Sequence, residues 1–271
     1  MARPLWFVKL LKKTFPNIKL IAKLTNLPIL GFIFDYLLFR DDDIIYLPQD
    51  RTNEVGKALG DFSEIVLPSQ VLKYFIEKVN NHWIMNFCIC RSSMKCEDYP
   101  IDLGCLFLGD AVLGINPQLG RLVSKEEALA HLKKCEEARL VHMIGRNRLD
   151  AQWLGVKPGE KLLSICNCDP CCCLWRVSPF LSTKIGRKIK KMPGVSVRVT
   201  DRCKGCKICT KGYCFVDAIH FVNEKAVISK ECRGCGRCVS VCPHEAIEIT
   251  IDDQDYVKKS IKELEHIIDV G

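Results

Sequence analysis

Cysteines are the residues of this chain whose spacing most clearly indicates chemistry. The sequence has 18 cysteines in 271 residues; positions 203–214 read CKGCKICTKGYC and positions 232–243 read CRGCGRCVSVCP. Short loops with this spacing turn several thiolates toward one iron–sulfur cube, and backbone N–H groups stabilise the cube's negative charge. We therefore predict iron–sulfur ligation. Zinc is the less favoured alternative, because zinc sites more often use two separated CxxC pairs per ion.

The two cysteine runs belong to an internal duplication. The tripeptide DAI at 217–219 follows the first run, and EAI at 245–247 follows the second. Between the runs, HFVNEKAVISKE predicts a strand, a turn at Asn223 and Glu224, and a second strand. This pattern indicates a small pseudo-twofold α+β module.

The stretch from about 196 to 252 resembles bacterial-type ferredoxins with two [4Fe–4S] clusters. In this class the fourth cysteine of each run ligates the other cluster. The resemblance thus implies two ligand sets, which are Cys203, Cys206, Cys209 and Cys242 for one cluster and Cys232, Cys235, Cys238 and Cys214 for the other. Four residues instead of three precede Cys214, and Phe215 replaces the usual proline, so we expect an altered loop that still holds its cluster.

Nine of the other ten cysteines form two upstream groups. They are Cys88, Cys90, Cys96 and Cys105 in the first group and Cys166, Cys168, Cys171, Cys172 and Cys173 in the second. Adjacent side chains diverge, so Cys171, Cys172 and Cys173 are not expected to share one cluster. Two sites, or one site with a redox-active thiol pair, both fit, and the mixed CxC and CxxC spacing leaves zinc open as well.

These upstream motifs resemble, almost end to end, a family of [4Fe–4S]-binding proteins of anaerobic microbes. The matching motifs are CxCR at 88–91, CLFLG at 105–109, SKEEAL at 124–129, LVH at 140–142 and CNCxxCCC at 166–173. Relatives often carry a cysteine where Asp169 stands, which changes the ligand count. The resemblance implies one or more additional iron–sulfur clusters. Arg91 and His142 lie in these motifs, and we expect them to bond cluster sulfurs or to tune the potential.

Apolar spacing predicts three helices around the cysteine groups. The first covers about 68–83, and the second begins at Ser124, which forms a capping-box pattern with Glu127. Cys135 lies on the apolar face of the second helix and is interpreted as a core residue. The third helix covers about 256–270 and is expected to cap the ferredoxin-like module. The basic segment 182–192 ends at a Pro-Gly pair and is either a solvated face or a docking site.

The predicted fold class is α+β, with a mainly helical N-terminal domain and a small ferredoxin-like domain. We expect four parts, which are an apolar and basic arm at 1–50, a helical cysteine-rich domain at 51–194, the two-cluster ferredoxin-like domain at 195–252 and a C-terminal helix at 253–271.

Composition restricts the setting and the partners. The sequence start interleaves lysines with apolar residues and shows no signal-peptide cleavage site, so a reducing cytoplasmic setting is expected. The most apolar stretch, 24–39, is interrupted by Pro28 and Asp35 and is too short to span a membrane. The net charge of +8 suits an acidic redox partner protein. We expect no nucleic-acid partner, and peripheral membrane contact is the less favoured interpretation of the basic N-terminus.

The favoured function is the relay of single electrons through two [4Fe–4S] clusters, with an additional upstream site. Two alternatives remain open. One is a reductase, and hence an oxidoreductase enzyme, whose upstream thiols act on a disulfide, a thiol-linked substrate or a cofactor. The other is an electron-transfer subunit of a larger redox complex. The sequence shows no phosphate-binding glycine loop and no hydrolytic triad.

Overall fold

The structure is a computed structural model that describes residues 2–50, 68–253 and 255–270. It has the expected α+β class. The helices are α1 Leu5–Thr14, α2 Ile18–Leu24, α3 Pro28–Phe34, α4 Ser69–Lys78, α5 Ile89–Met94, α6 Lys125–Glu137, α7 Arg148–Leu154, α8 Thr183–Gly186, α9 Arg237–Ser240 and α10 Tyr256–Ile267. The strands are β1 Asp43–Tyr46, β2 His82–Met85, β3 Leu106–Leu108, β4 Gly120–Val123, β5 Val141–Arg146, β6 Leu163–Cys168, β7 Ile189–Lys191, β8 Val195–Val199, β9 Ile219–Val222, β10 Lys225–Ile228 and β11 Ile247–Ile251.

Seven strands form one mixed sheet in the order β4-β2-β3-β6-β5-β1-β7. All neighbours are antiparallel except β1 and β7, which run parallel. Strand β6 lies between β3 and β5 and ends at Cys168. The CNCxxCCC motif therefore begins in the central strand of the sheet and continues into the turn that follows it.

Both faces of this sheet are covered, as β1 shows residue by residue. Ile45 and Leu47 pack on one side with helices α4, α6 and α10, whereas Ile44 and Tyr46 pack on the other side with Trp175. Successive strand side chains point to opposite faces, so a run of apolar residues here supplies two cores at once. The second face also carries most of the upstream cysteines.

Besides its helices, the N-terminal region contains this seven-stranded sheet, which the sequence did not predict. Its strands are only three to six residues long, and the inner strands are buried on both faces, so they lack the alternation that identifies a half-exposed strand. Helices were predicted correctly at 69–78, 125–137 and 256–267, and α6 has the expected capping box between Ser124 and Glu127. The expected boundary between arm and domain falls at 51–67, outside the described residues.

The N-terminal helices α1 to α3 lie on the cysteine-bearing side and expose several large apolar side chains. Trp6, Leu20, Ile29 and Phe32 are each more than 60% exposed. Within the described ranges, no helix has the length and hydropathy of a membrane span.

The C-terminal segment is built from two antiparallel pairs, β8 with β11 and β9 with β10. The turn between β9 and β10 falls at Asn223 and Glu224, as predicted, and both residues have positive φ. Helix α10 packs in one core with α4 as well as with Val195 and Ile249 of the β8/β11 pair. It therefore contacts both the large sheet's covering helices and the C-terminal segment.

Candidate metal centres

The cysteines predicted as the first ferredoxin ligand set surround one small cavity. Cys203, Cys206, Cys209 and Cys242 all line it. The backbone N–H of Ala226 donates to the Cys203 sulfur at 3.5 Å. With the N–H of Gly205, this bond lowers the pKa of the Cys203 thiol. Donors already aimed at sulfur are what a thiolate ligand requires.

The second predicted set also gathers, close to the large sheet. Cys214, Cys232 and Cys235 pack against the core that contains Tyr46 and Trp175. Burial raises the pKa of Cys235 to about 12, and the charges of Cys214 and Cys232 add to that rise. Burial likewise raises the pKa of Cys238, with Cys235, Cys232 and Cys214 contributing. Thiols crowded in this way cannot all ionise unless a cation joins them.

The internal duplication is visible in the backbone around the two sets. The N–H of Ala218 donates to the Cys214 sulfur at 3.2 Å, and the N–H of Ala246 donates to the Cys242 sulfur at 3.3 Å. Gly205 and Gly234 occupy equivalent positions with φ of 67° and 69°. A Cβ at Gly205 would approach the Glu224 carbonyl to 2.5 Å, so only glycine fits this tight loop.

Six upstream thiols line a second, larger cavity of about 290 Å³ on the cysteine-bearing side of the sheet. We call it the thiol cavity, and its cysteines are Cys88, Cys90, Cys105, Cys166, Cys168 and Cys173. Apolar residues of α1 to α3, including Leu11 and Ile18, form an opposing wall. The sequence placed these cysteines in two groups, and the sheet brings members of both groups together.

Hydrogen bonds between thiols decide which sulfurs of the thiol cavity ionise most readily. A bond from the Cys90 thiol lowers the pKa of Cys88 to about 7, against the opposing effect of burial. Bonds from Cys105 and Cys168 lower the pKa of Cys166 well below its usual range. The contacts between thiols therefore favour ionisation of Cys88 and Cys166 over that of their partners.

Arg91 supplies a positive charge beside Cys88 and Asp169. Its side chain is fully buried, and it donates to the Asn167 carbonyl at 2.9 Å, to Asp169 Oδ2 at 3.2 Å and to the Leu103 carbonyl. Burial opposes the charge, but Cys88 and Asp169 raise the pKa of the guanidinium. Its Nε has no hydrogen-bond partner among the described residues.

His142 reaches the thiol cavity through another residue. Its Nδ1 donates to Asn167 Oδ1 at 2.8 Å, and Asn167 lies in β6 between Cys166 and Cys168. Burial lowers the pKa of His142, which favours the neutral ring. The structure shows no direct bond between the ring and a thiol in its described part. Asn167 was missed by the sequence analysis, although its position inside the CNC motif was a usable signal.

The remaining upstream thiols, Cys96, Cys171 and Cys172, lie outside the thiol cavity. They gather around Asp169, and the ligand atoms of these four residues all lie within 4.8 Å of one another. Cys173 points into the cavity instead. The CCC run is therefore divided between two places, in line with the divergence of adjacent side chains. Cys135 is fully buried in α6, and burial raises the pKa of its thiol to about 12, as expected for a core residue.

Comparison with known proteins identifies the chemistry of the C-terminal segment. Residues 207–253 match the family model of the LdpA Fe-S cluster-binding domain. This segment is an iron–sulfur binding domain. Over 80 residues the chain is 37% identical to the indolepyruvate oxidoreductase subunit IorA of Pyrococcus abyssi (strain GE5 / Orsay); the match covers 28% of this chain and 11% of that protein's length. No solved structure matches the chain.

Tyr46, which the sequence analysis did not single out, stands between the thiol cavity and the second ferredoxin set. Its ring is fully buried and lies 5.7 Å from the ring of Phe215, centroid to centroid. Burial raises the pKa of its hydroxyl, and the charges of Cys173, Cys168, Cys235 and Cys214 add to this. The hydroxyl has no hydrogen-bond partner among the described residues. A buried hydroxyl facing sulfurs of both sites fits a cluster sulfur as its acceptor.

Proposed function

We propose that the chain is an electron-transfer protein with two [4Fe–4S] clusters in its C-terminal domain and an additional iron–sulfur cluster in the thiol cavity. Clusters bound at these sites supply one-electron chemistry. The observation that carries the proposal is the shared apolar core. Cys168 and Cys173 of the cavity pack in the same core as Cys214 and Cys235 of the ferredoxin set, with Tyr46 among them.

The proposed ligands follow from the thiol groups. Cys203, Cys206, Cys209 and Cys242 hold one cluster, and Cys232, Cys235, Cys238 and Cys214 hold the other. The six cavity thiols exceed the four that a cube takes, so they provide for at least one further cluster. Short loops, glycines at positive φ and N–H groups directed at sulfur support these assignments.

The surrounding residues have distinct parts in this scheme. Arg91 offsets the negative charge of the cavity thiolates from a fully buried position. Asn167 Oδ1 accepts a hydrogen bond from the His142 Nδ1–H and so orients the ring, and His142 acts on the site through Asn167. Tyr46 presents an O–H donor between the two sites. A donor to cluster sulfur favours the reduced, more negative state and raises the reduction potential.

An anaerobic reductive titration tests the proposal. With one electron per cluster, wild-type protein should accept about three electrons per chain, and a Cys166→Ala variant should accept about two. A matched Cys135→Ala variant, which removes a core thiol, should match the wild type. Uptake of about two electrons by all three proteins would overturn the upstream cluster and leave the ferredoxin clusters in place.

A second candidate function is a reductase, and the shape of the thiol cavity favours it. The cavity extends from the thiols to apolar side chains of α1 to α3, such as Leu11 and Phe34, which leaves room for an apolar substrate. Disulfides and thiol-linked compounds offered to viologen-reduced protein distinguish the two functions. Substrate-dependent oxidation that is lost in Cys166→Ala would indicate an oxidoreductase, whereas a pure carrier shows none.

A third candidate is a subunit of a larger redox complex. The relative IorA is by its name a subunit of an oxidoreductase, although only a small part of it matches. The net charge of +8 would favour an acidic redox partner protein. Affinity purification from the native host tests this candidate. A stoichiometric partner that survives high salt supports a complex, and salt-sensitive association supports a mobile carrier.

A further inference from the structure

Three upstream thiols and one carboxylate form a separate group beyond the C-terminal end of β6. Cys96 follows the left-handed residue Lys95 that ends α5, and Asp169, Cys171 and Cys172 belong to the turn after β6. The Cys171 sulfur lies 3.5 Å from the Cys96 sulfur and 3.6 Å from the Cys172 sulfur. Asp169 Oδ1 lies 3.1 Å from the Cys171 sulfur. We call these four residues the turn site.

These separations suit ligands of a single ion. Thiolates bound at about 2.3 Å to one tetrahedral zinc lie about 3.8 Å apart, close to the spacing of the turn-site sulfurs. A cube instead places its four thiolates on four different irons, which sets the sulfurs farther apart. All four ligand atoms of the turn site lie within 4.8 Å of one another, so one ion can contact them together.

Hydrogen bonds to both of its oxygens hold the carboxylate of the turn site in place. Asp169 Oδ2 pairs with the fully buried Arg91, while Oδ1 faces the thiols and accepts the N–H of Cys171 at 2.9 Å. Asp169 is itself fully buried. Oδ1 also accepts the N–H of Cys172, and these two backbone bonds hold it 3.1 Å from the Cys171 sulfur, where it can serve as the fourth ligand of an ion bound by the three thiols.

The donor set also selects the kind of ion. Thiolate-rich tetrahedral surroundings favour zinc or iron over magnesium and calcium, which prefer oxygen. Four protein ligands fill a tetrahedron and leave no open position, which is the arrangement of a structural zinc site. The ion would tie α5 to the turn after β6, and both of these carry thiols of the thiol cavity, Cys90 and Cys173.

We propose that Cys96, Cys171, Cys172 and Asp169 bind one structural zinc ion that is distinct from the iron–sulfur clusters. Binding releases a proton from each thiol that is not already ionised, and no electron is transferred. This zinc site stands whether or not the thiol cavity holds a cluster, because it uses none of the cavity's six thiols.

Metal analysis of anaerobically purified protein tests the zinc site. Wild-type protein should contain about one zinc per chain. Cys171→Ser changes an exposed thiol and should therefore fold; it should lose the zinc while iron and sulfide stay at the wild-type level. Cys96→Ser should behave alike, and Cys135→Ala is the matched control that keeps the zinc. Loss of iron and sulfide in Cys171→Ser would overturn the proposal and assign these thiols to a cluster.

Cobalt substitution gives a second readout, which is the coordination geometry of the bound ion. Protein grown with cobalt should show intense visible bands of tetrahedral cobalt together with thiolate charge-transfer bands, both absent from Cys171→Ser. Weak bands of six-coordinate cobalt would overturn the proposal. So would wild-type protein that takes up no zinc and has Cys96 and Cys171 joined in a disulfide, as mapped by peptide mass analysis.

Discussion

Removal of the Tyr46 hydroxyl tests the proposed arrangement of clusters. Replacing Tyr46 with phenylalanine removes the buried hydroxyl that lies among Cys173, Cys168, Cys235 and Cys214. One hydrogen bond to sulfur of about 1 kcal/mol corresponds to roughly 40 mV for a one-electron couple. We expect Tyr46→Phe to keep its iron and to lower the potential of a cluster by about that amount in a redox titration.

The control for Tyr46→Phe is Tyr74→Phe. The Tyr74 hydroxyl donates to Glu265 Oε1 at 2.7 Å, and Tyr74 packs against the opposite core, away from Tyr46. Unchanged potentials in Tyr46→Phe, or a shift of equal size in both variants, would contradict the position assigned to the Tyr46 hydroxyl.

The buried carboxyl of Asp42 should make the stability of the protein depend on pH. Burial raises the pKa of this carboxyl from 3.8 to about 7, although the N–H of Arg148 donates to Oδ1 at 2.7 Å. The folded protein therefore keeps a proton that the unfolded chain releases. The resulting stabilisation is complete below pH 3.8 and is lost as the pH rises to about 7, by at most about 1.4 kcal/mol per pH unit.

An Asp42→Asn variant should remove this contribution. Asparagine still offers an oxygen to the Arg148 N–H, so the fold should persist. Melting temperatures measured under argon from about pH 5 to 7 should fall less steeply in the variant than in the wild type. Asp41→Asn, at an exposed neighbour, is the control. Parallel curves for Asp42→Asn and wild type would show that Asp42 does not hold the proton.

Individual residues could be singled out from the sequence only where a motif marked them. Arg91 was found because it follows the CxC motif, and the structure places it beside Asp169 as a buried charge. Tyr46 was missed because it reads as one more apolar residue of a buried strand. Its neighbours come from two other segments, 168–173 and 214–235, so its surroundings exist only after folding.

At the scale of elements, α10 joins the C-terminal domain to the rest of the molecule. Leu264 of α10 is fully buried in the core shared with α4 and the β8/β11 pair. Leu264→Ala should lower the free energy of unfolding by about 2–5 kcal/mol, through lost burial and the cavity that remains. Thermal unfolding followed by tryptophan fluorescence measures this, with iron content checked before melting.

Lys262→Ala, on the exposed side of the same helix, is the matched control for Leu264→Ala. It should change stability by less than about 0.5 kcal/mol. Alanine has the highest helix propensity, so neither variant weakens the helix itself; equal losses in the two variants would contradict the packing of α10 described above.

Elements with a local chemical signal were predicted well. The capping box fixed the start of α6 at Ser124, and the Asn223-Glu224 turn fixed the β9/β10 hairpin. The seven-stranded sheet was missed because its order joins distant strands and its short apolar runs have no period. A run such as Ile44 to Tyr46 fits a buried helix segment as well as a strand.

At the scale of the whole molecule, arginines fasten the C-terminal domain to the sheet. Arg237, which lies between Cys235 and Cys238, donates to the Arg139 carbonyl and to the Tyr99 hydroxyl. Arg176 donates to the Gly212 carbonyl at 2.8 Å, close to Cys214. The loops that carry the second ferredoxin set are thereby held against the upstream cysteines, although the division of the chain into four domains stays a prediction.

Replacing a single ligand cysteine should lower the iron content by the iron of one whole cluster. Cys206→Ala and Cys235→Ala each remove a thiol from one proposed ferredoxin set, and Cys166→Ala removes one from the thiol cavity. Each variant should lose up to about four irons and the matching sulfide, while Cys135→Ala loses none. Iron loss in Cys135→Ala, or none in Cys235→Ala, would contradict the ligand sets.

Iron and acid-labile sulfide analysis of the unaltered, anaerobically prepared protein tests the central claim most directly. Three cubes predict about twelve irons and about twelve sulfides per chain. About eight of each would contradict the cluster in the thiol cavity, and zinc without inorganic sulfide would contradict the electron-transfer function altogether.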